Sequence, residues 1–108
     1  VSAWAMKIEK LHAQAHAATT LLKVLANESR LQILCQLVRG EKSVSELEEA
    51  VGLRQSAISQ HLAIMRRERI VKTRRDAQQI IYSLASHDAQ AIMEALYDVF
   101  CEKKPKKK

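Results

Sequence analysis

Cysteine and glycine are both scarce in this chain, which contains two of each among its 108 residues. Two cysteines far apart in sequence do not form the disulfide framework of a small secreted domain. The chain also has no Cys-x-x-Cys pair, no glycine-rich phosphate loop and no nucleophile beside a recognisable base. A thiol-redox enzyme is therefore a weak interpretation.

Long hydrophobic runs are missing as well. No apolar run approaches the ~20 residues that span a bilayer, and no secretory signal pattern opens the chain. We expect a cytoplasmic protein without a membrane partner. Its length has room for one domain and one modest core, predicted over residues 1–102, with residues 103–108 as a disordered basic tail.

The formal net charge of +6 is unevenly distributed. Five of the eighteen basic residues are lysines of the tail, and without them the basic residues exceed the acidic ones by about one. Between Arg54 and Arg75, however, seven basic residues stand against the single acidic residue Glu68. A solvated charged face is the usual explanation of such a run. Here it overlaps a two-helix motif, so nucleic-acid binding is favoured.

That motif runs from Ser45 to Glu68. Ser43 and Glu46 have the spacing of a capping box and predict the start of a short helix, which Gly52 ends. A second helix is predicted from about Gln55 to Glu68. Two helices joined by a short turn containing glycine form a helix-turn-helix.

The second helix has two contrasting faces. Its apolar residues Ile58, Leu62 and Met65 fall together on a helical wheel. The opposite face is small and polar at its beginning and basic at its end, a composition suited to base edges and phosphates. It comprises Ser56, Ser59, Gln60, Ala63 and Arg67.

Before this motif the chain predicts two helical regions. Residues 3–18 are alanine-rich without glycine or proline and should form a helix that continues to Asn27, with His12 and His16 on one side. Asn27 is the expected N-cap of a helix from Glu28 to Arg39 that is apolar over most of its circumference and therefore central and buried.

After the motif the sequence pattern changes from the period of a helix to that of β-strands. Residues 70–75 and 78–84 read as two strands around an Asp76-Ala77 turn, and a hairpin in this place is a wing. Ser86 is the expected cap of a final helix reaching about Cys101. This helix has a long apolar stripe that we expect to serve a partner subunit. The stripe consists of Ala89, Ile92, Met93, Leu96, Tyr97, Val99 and Phe100.

Four segments of the chain, and the order of the elements, resemble the ArsR/SmtB family of dimeric winged-helix repressors over about residues 20–101. The carrying segments are Leu25–Leu34, Ser43–Leu47, Ser56–Leu62 and Tyr82-Ser83-Leu84. The resemblance implies a mainly α fold with a small β-hairpin, a homodimer built from the first and last helices, and binding to double-stranded operator DNA.

The resemblance places Gln55, Ser56, Ser59, Gln60 and His61 at the major groove, and the basic stripe and wing extend this set. A structural role for His61 competes evenly with a DNA contact, because His61 lies at the border of the predicted core. The predicted DNA-binding residues are Arg54, Gln55, Ser56, Ser59, Gln60, His61, Arg66, Arg67, Lys72, Arg74, Arg75 and Gln78. Two features depart from the family pattern: Arg54 replaces a usual serine, and the wing turn lacks glycine.

The two usual metal sites of the family are broken in this chain. Ser43 and Ser45 stand where a Cys-x-Cys pair is common, and a hydroxyl does not replace a thiolate for a soft ion. The other site keeps two possible ligands of four, without an imidazole. Its matching positions are Ser86, Asp88, Val99 and Glu102. We expect no metal and no cofactor.

With the usual metal sites broken, Cys35 and Cys101 remain as candidate sensing residues. Their positions resemble the branch of HlyU-, SqrR- and BigR-like repressors, which implies a response to reactive sulfur species or oxidants. On its own, Cys35 in an apolar helix reads as a small core residue, whereas Cys101 is expected at an exposed margin. Two alternatives stay open: a metal sensor that uses Cys35, Cys101, His12 or His16, and an architectural DNA protein without a ligand.

Overall fold

The computed structural model describes residues 3–101, so the predicted tail and Glu102 lie outside the described residues. Within these residues, six helices and three short strands follow one another. They are α1 (Ala3–Ala13), α2 (Ala15–Leu25), α3 (Glu28–Val38), β1 (Lys42–Ser43), α4 (Val44–Val51), α5 (Gln55–Arg67), β2 (Val71–Asp76), β3 (Gln79–Leu84) and α6 (His87–Phe100).

The prediction of one continuous helix at the start of the chain is wrong, because the helix is broken at Gln14. The backbone there has φ −102° and ψ 15°, and the Gln14 amide donates to the Leu11 carbonyl at 2.9 Å, a bond three residues back. His12 and His16 therefore belong to two helices. No glycine or proline marks the break, so nothing in the local sequence predicted it.

The predicted caps are confirmed. The Asn27 side chain accepts a hydrogen bond from the Arg30 amide at 3.0 Å and begins α3. At α4 the capping box is complete: the Ser43 amide donates to Glu46 Oε1 at 2.8 Å, and the Glu46 amide donates to Ser43 Oγ at 3.2 Å. Gly52 ends α4 with φ +82°, a left-handed conformation that glycine adopts at little cost.

The sheet contains the predicted hairpin and one strand that the sequence did not indicate. Its order is β1-β3-β2, all antiparallel, and the two-residue β1 was too short to give a periodic signal. Asp76 pairs with Gln79, which moves the turn one residue on from the predicted position, to Ala77-Gln78. Ala77 has φ +59°, so an alanine takes the conformation for which glycine is usual.

The core forms where α3, α4 and α5 meet, and six of its side chains are almost completely buried. They are Ile33, Leu34, Leu47, Ile58, Leu62 and Met65. The predicted inner face of α5 is thereby confirmed. This core and the glycine turn fix α5 beside the hairpin, with its polar face outward.

The prediction that Cys35 is buried is wrong for the single chain, in which Cys35 is exposed. Helix α3 buries Ile33, Leu34 and Leu37 on one side, and Cys35 lies on the side towards α6, which covers it only in part. Apolar composition around the whole helix did not mean burial around the whole helix.

A large apolar surface is exposed on α1 and α6. Its aromatic members Trp4, Tyr97 and Phe100 expose 66%, 55% and 68% of their surface. The remaining large apolar side chains that are exposed are Met6, Ile8, Leu11, Leu22, Val38 and Val99. Among residues 3–101 no helix combines the length and the apolar character needed to cross a bilayer.

Candidate nucleic-acid interface and thiol cavity

The outer face of α5 is exposed as predicted. Ser56, Ser59, Gln60 and Arg67 are all exposed, and Arg54 precedes the helix with extended backbone angles and an exposed side chain that makes no cap hydrogen bond. Hydroxyl, amide and guanidinium groups are thus presented along one side of a helix. These groups are the usual donors and acceptors for base edges and phosphate oxygens.

Two grooves flank α5, and each brings predicted DNA-binding residues together. The first has a volume of about 300 Å³ and joins Gln55, at the start of α5, to Gln78 at the tip of the hairpin. The second, of about 480 Å³, is lined by Ser59, Ala63, Arg66, Arg67 and Tyr82. Sequence reasoning did not single out Tyr82 as a site residue, although it lies in a segment that carried the family resemblance.

His61 is half-buried and contacts a residue that the sequence analysis missed. Its Nδ1 lies 3.4 Å from Arg30 Nη1, and Arg30 Nε donates to the Val24 carbonyl at 2.5 Å. Burial, and then the positive charge of Arg30, lower the pKa of His61. A neutral imidazole beside a guanidinium is a contact between α3 and α5, so the structural role of His61 is present in the fold.

Arg74 differs from the other predicted DNA-binding arginines because it is paired within the protein. Its Nε donates to Glu41 Oε2 at 3.0 Å and its Nη2 to Glu41 Oε1 at 2.6 Å. The bond from Arg74 lowers the pKa of the Glu41 carboxyl, and the carboxylate raises the pKa of Arg74. Lys72, Arg75 and Gln78 are exposed on the hairpin. Glu41 had no motif to mark it.

Two of the positions where the family usually has metal ligands, Ser43 and Ser86, cap helices here. Ser43 Oγ lies 3.3 Å from Ser45 Oγ and belongs to the capping box of α4. Ser86 accepts from the Ala89 amide at 3.5 Å and caps α6 as predicted. Within the described part of the chain no three His, Cys, Asp or Glu side chains gather closely enough to hold a metal ion.

Cys35 and Cys101 line the same small cavity between α3 and α6. It has a volume of about 220 Å³ and is otherwise apolar, formed by Leu31, Met93, Leu96, Tyr97 and Phe100. Both thiols are free and exposed in the single chain. A larger cavity of about 610 Å³ adjoins Cys35 on its other side, where Arg39, Glu94 and Asp98 contribute charges. Residues far apart in sequence are therefore brought to one apolar cavity.

Comparison with known proteins gives consistent matches along most of the chain. Residues 27–73 match the family model described as bacterial regulatory protein, arsR family. The transcriptional activator HlyU of Vibrio cholerae is 44% identical over 97 residues, covering 90% of both chains.

Solved structures agree with the sequence matches. A structure of reduced HlyU from Vibrio cholerae has a TM-score of 0.80 at 45% identity and covers 86% of this chain and 98% of that one. The repressor BigR of Xylella fastidiosa has a TM-score of 0.82 at 42% identity, over 86% and 95% of the two chains. A homodimeric winged helix-turn-helix domain from Mycobacterium bovis has a TM-score of 0.75 at 28% identity, over 83% of each chain.

These identities extend over nine-tenths of the chain and of the first relative, and they coincide with the helix-turn-helix, the hairpin wing and the flanking helices. The chain belongs to the ArsR family of bacterial regulatory proteins and is a winged helix-turn-helix transcriptional regulator rather than an enzyme.

Proposed function

We propose that this regulator is a homodimeric repressor whose affinity for operator DNA is switched by reaction of Cys35 and Cys101 with reactive sulfur species or oxidants. The observation that carries the proposal is the apolar cavity that both thiols line. A repressor acts where the DNA is, and on this ground we also propose a cytoplasmic location.

The DNA contacts follow from the exposed face of α5 and the two grooves beside it. Gln55, Ser56, Ser59 and Gln60 are uncharged groups on or beside this exposed face, and we assign them to base edges in the major groove. The exposed basic side chains of α5 and the wing are suited to phosphate oxygens, which hold the protein on the duplex without reading sequence. We assign this role to Arg54, Arg66, Arg67, Lys72 and Arg75, with Gln78 at the wing tip.

The dimer is supported by the apolar surface on α1 and α6. Trp4 on α1 and Tyr97, Val99 and Phe100 on α6 each expose more than half of their surface, and large exposed apolar groups of this kind mark interaction sites. The Mycobacterium bovis relative is homodimeric. Packing α1 and α6 against the same helices of a second copy covers these residues and places the two α5 helices on successive major grooves, about 34 Å apart.

The chemistry of the switch needs both thiols. The thiolate of one cysteine attacks the outer sulfur of an organic persulfide, which leaves a protein persulfide and releases the organic thiol. The second thiolate then attacks the inner sulfur of the protein persulfide, forming the Cys35–Cys101 disulfide and releasing hydrogen sulfide. With peroxide the first product is a sulfenic acid and water, and the second thiol closes the same disulfide with loss of another water.

A bridge between the thiols would change the angle between α3 and α6. A disulfide holds its two Cα atoms within about 7 Å, so closing it in the cavity would fix the end of α6 relative to α3. Because α6 belongs to the proposed dimer surface, the two α5 helices would move out of register with the DNA. A differential affinity of ~3 kcal/mol suffices for about a hundredfold release.

The experiment compares the wild-type protein with the Cys35→Ser and Cys101→Ser variants. Each is treated with organic polysulfide, peroxide or buffer, and intact mass and operator affinity are measured on the same samples. We expect wild-type protein to lose DNA affinity together with a loss of two hydrogens. Both variants should bind DNA normally when reduced and keep their affinity after treatment.

Two results would reject the thiol switch. In the first, the serine variants still leave the DNA on treatment with polysulfide. In the second, Zn²⁺ added to the reduced wild-type complex releases the DNA while polysulfide does not, which would assign the protein to metal sensing. Neither result touches the assignment of DNA binding to α5, because that assignment depends on the reduced protein alone.

A further inference from the structure

The Glu41–Arg74 ion pair joins two parts of the chain that are far apart in sequence. Glu41 lies in the short segment between α3 and β1, and Arg74 lies in the middle of β2. Two hydrogen bonds of 2.6 and 3.0 Å give the pair the forked geometry in which guanidinium and carboxylate planes match. Among the described residues this is the one ion pair between side chains, which sets Arg74 apart from the other basic residues of the wing.

The pair spans the central strand of the sheet. In the register of the sheet, Arg74 is opposite Ile81 and Ile81 is opposite Ser43, so the three residues form one row across β2, β3 and β1. Glu41 precedes Ser43 by two residues and lies on the β1 side of the sheet, so β3 lies between it and the strand that carries Arg74. The edge strand β2 is thereby tied to the segment between α3 and β1 as well as to β3.

Neighbouring residues of a strand point to opposite faces, whereas residues paired across strands share one. Arg75 pairs with Ile80 and therefore shares the face of Ile80 and Tyr82. Tyr82 lines the second groove beside α5 and packs against the core. The first groove is lined by Ile80 from this face and by Ser43 and Gln79 from the other. Arg74 shares the opposite face with Ile81. The two adjacent arginines of the wing thus have different surroundings: Arg75 is on the face towards the DNA-reading helix, and Arg74 is on the face that carries Glu41.

We propose that Arg74 is a positioning residue for DNA binding. Its ion pair with Glu41, here called the clasp, fixes β2 and holds the wing so that Arg75 contacts the DNA backbone. This inference rests on the proposed contact between the wing and DNA. It reassigns Arg74, which the sequence pattern grouped with the phosphate-binding residues.

A positioning role and a direct phosphate contact of Arg74 predict opposite effects on DNA affinity when the Glu41 carboxylate is removed. If Arg74 bound phosphate directly, Glu41 would compete with the DNA, and its removal would strengthen binding. If Glu41 holds the wing in place through Arg74, its removal frees the wing and weakens binding. The sign of the effect of Glu41→Gln therefore separates the two roles.

The experiment measures operator affinity at several salt concentrations for E41Q, R74Q, the double variant E41Q/R74Q, the charge-exchanged variant E41R/R74E, and R75Q as the matched neighbour. We expect E41Q and R74Q each to weaken binding by roughly two- to fivefold, in line with the small contribution of an exposed ion pair. The double variant should be no weaker than either single variant, and the exchanged pair should recover affinity.

The salt dependence provides a readout that general destabilisation would not change. The slope of log affinity against log salt reports the number of phosphates neutralised. R75Q should lower it by roughly one per subunit. E41Q and R74Q should leave it unchanged, because a freed wing still brings Arg75 to its phosphate in the bound complex and only the cost of ordering the wing rises. A lower slope in R74Q together with tighter binding by E41Q would overturn the proposal, as would unchanged affinity in both variants.

A measurement without DNA tests the clasp separately. Carbon-detected NMR titration should place the pKa of the Glu41 carboxyl lower in the wild type than in R74Q, because the Arg74 hydrogen bond stabilises the carboxylate. Equal values in the two proteins would show that the clasp does not form in solution. If the clasp forms but R75Q leaves the salt slope unchanged, the wing contact with DNA fails, and the positioning role fails with it.

Discussion

Arg30 connects the end of α2 to α5 by donating to the Val24 carbonyl and lying 3.4 Å from His61 Nδ1. The connection requires a neutral imidazole, because a protonated ring would place two positive charges side by side. Burial and Arg30 both lower the pKa of His61 below the ordinary value of 6.5.

The first prediction is a loss of stability in mild acid that depends on His61. The unfolded chain takes up a proton on this side chain at a higher pH than the folded chain does, so the unfolded state binds more protons as the pH falls below about 6.5. His61 therefore contributes its full stability above that pH, and the contribution is lost as the pH falls to the lower folded pKa.

Thermal unfolding at fixed protein concentration, measured at intervals from about pH 5 to 8, tests this prediction. His61→Gln should have a flatter profile than the wild type in the acid part of the range. His16→Gln removes an exposed histidine and serves as the control. If the thermal stability of His61→Gln falls with decreasing pH as steeply as that of the wild type, the role assigned to the imidazole ring is contradicted.

Arg69 predicts a stabilising substitution. It follows α5 with φ +63°, and its amide and that of Ile70 donate to the Arg66 and Met65 carbonyls at 2.9 and 2.8 Å, the hydrogen-bond pattern of a Schellman motif. A left-handed backbone costs a side-chain-bearing residue roughly 1–2 kcal/mol, which glycine avoids at some cost in unfolded-state entropy. Arg69→Gly should gain about 0.5–1 kcal/mol in urea unfolding relative to Arg69→Ala.

The comparison with Arg69→Ala isolates the backbone effect, because both variants lack the guanidinium and only alanine keeps a Cβ. If the glycine variant unfolds at the same or lower urea concentration than the alanine variant, the left-handed conformation is not strained. DNA affinity measured in both variants reports separately on the charge.

The apolar surface on α6 predicts a dimer that a single charge disrupts. Phe100→Asp should shift the protein to monomer in sedimentation velocity, because Phe100 is 68% exposed in the chain and a buried, unpaired carboxylate at the proposed interface is costly. Its circular dichroism should be unchanged, since the side chain is not part of the core. Ala63→Asp, on the exposed face of α5, should remain dimeric and lose DNA binding instead. A dimeric Phe100→Asp protein would place the interface elsewhere.

The two kinds of DNA contact on α5 predict two kinds of defect. Gln60→Ala should cost about 1–3 kcal/mol on an operator selected from random sequences and almost nothing on unrelated DNA, as expected for a base contact. Arg66→Gln should weaken binding to both DNAs alike and lower the salt slope by roughly one per subunit. Equal losses on both DNAs in the Gln60 variant would remove Gln60 from the base-reading set.

The elements themselves were largely predictable because their signals are local. Ser43, Gly52 and Ser86 mark helix ends through hydrogen bonds and backbone angles that involve residues no more than four positions away. The period of Ile58, Leu62 and Met65 fixed which side of α5 is buried. The basic run over the two-helix motif already favoured nucleic-acid binding, and the apolar stripe of α6 already suggested a partner subunit. The family resemblance made these expectations specific, as double-stranded operator DNA and a homodimer.

Apart from the break at Gln14 and the short β1, the sequence by itself therefore determined the order of the elements, the inner and outer faces of α5 and the family. Tertiary structure decided what lies beside each functional side chain. The break at Gln14, the exposure of Cys35 and its cavity shared with Cys101, the contact of Arg30 with His61 and the pairing of Arg74 with Glu41 appeared only in the fold. The physical reason is distance along the chain. Apart from the break, each feature depends on how two helices pack or on how a loop meets the sheet, and no local pattern of residues specifies that arrangement.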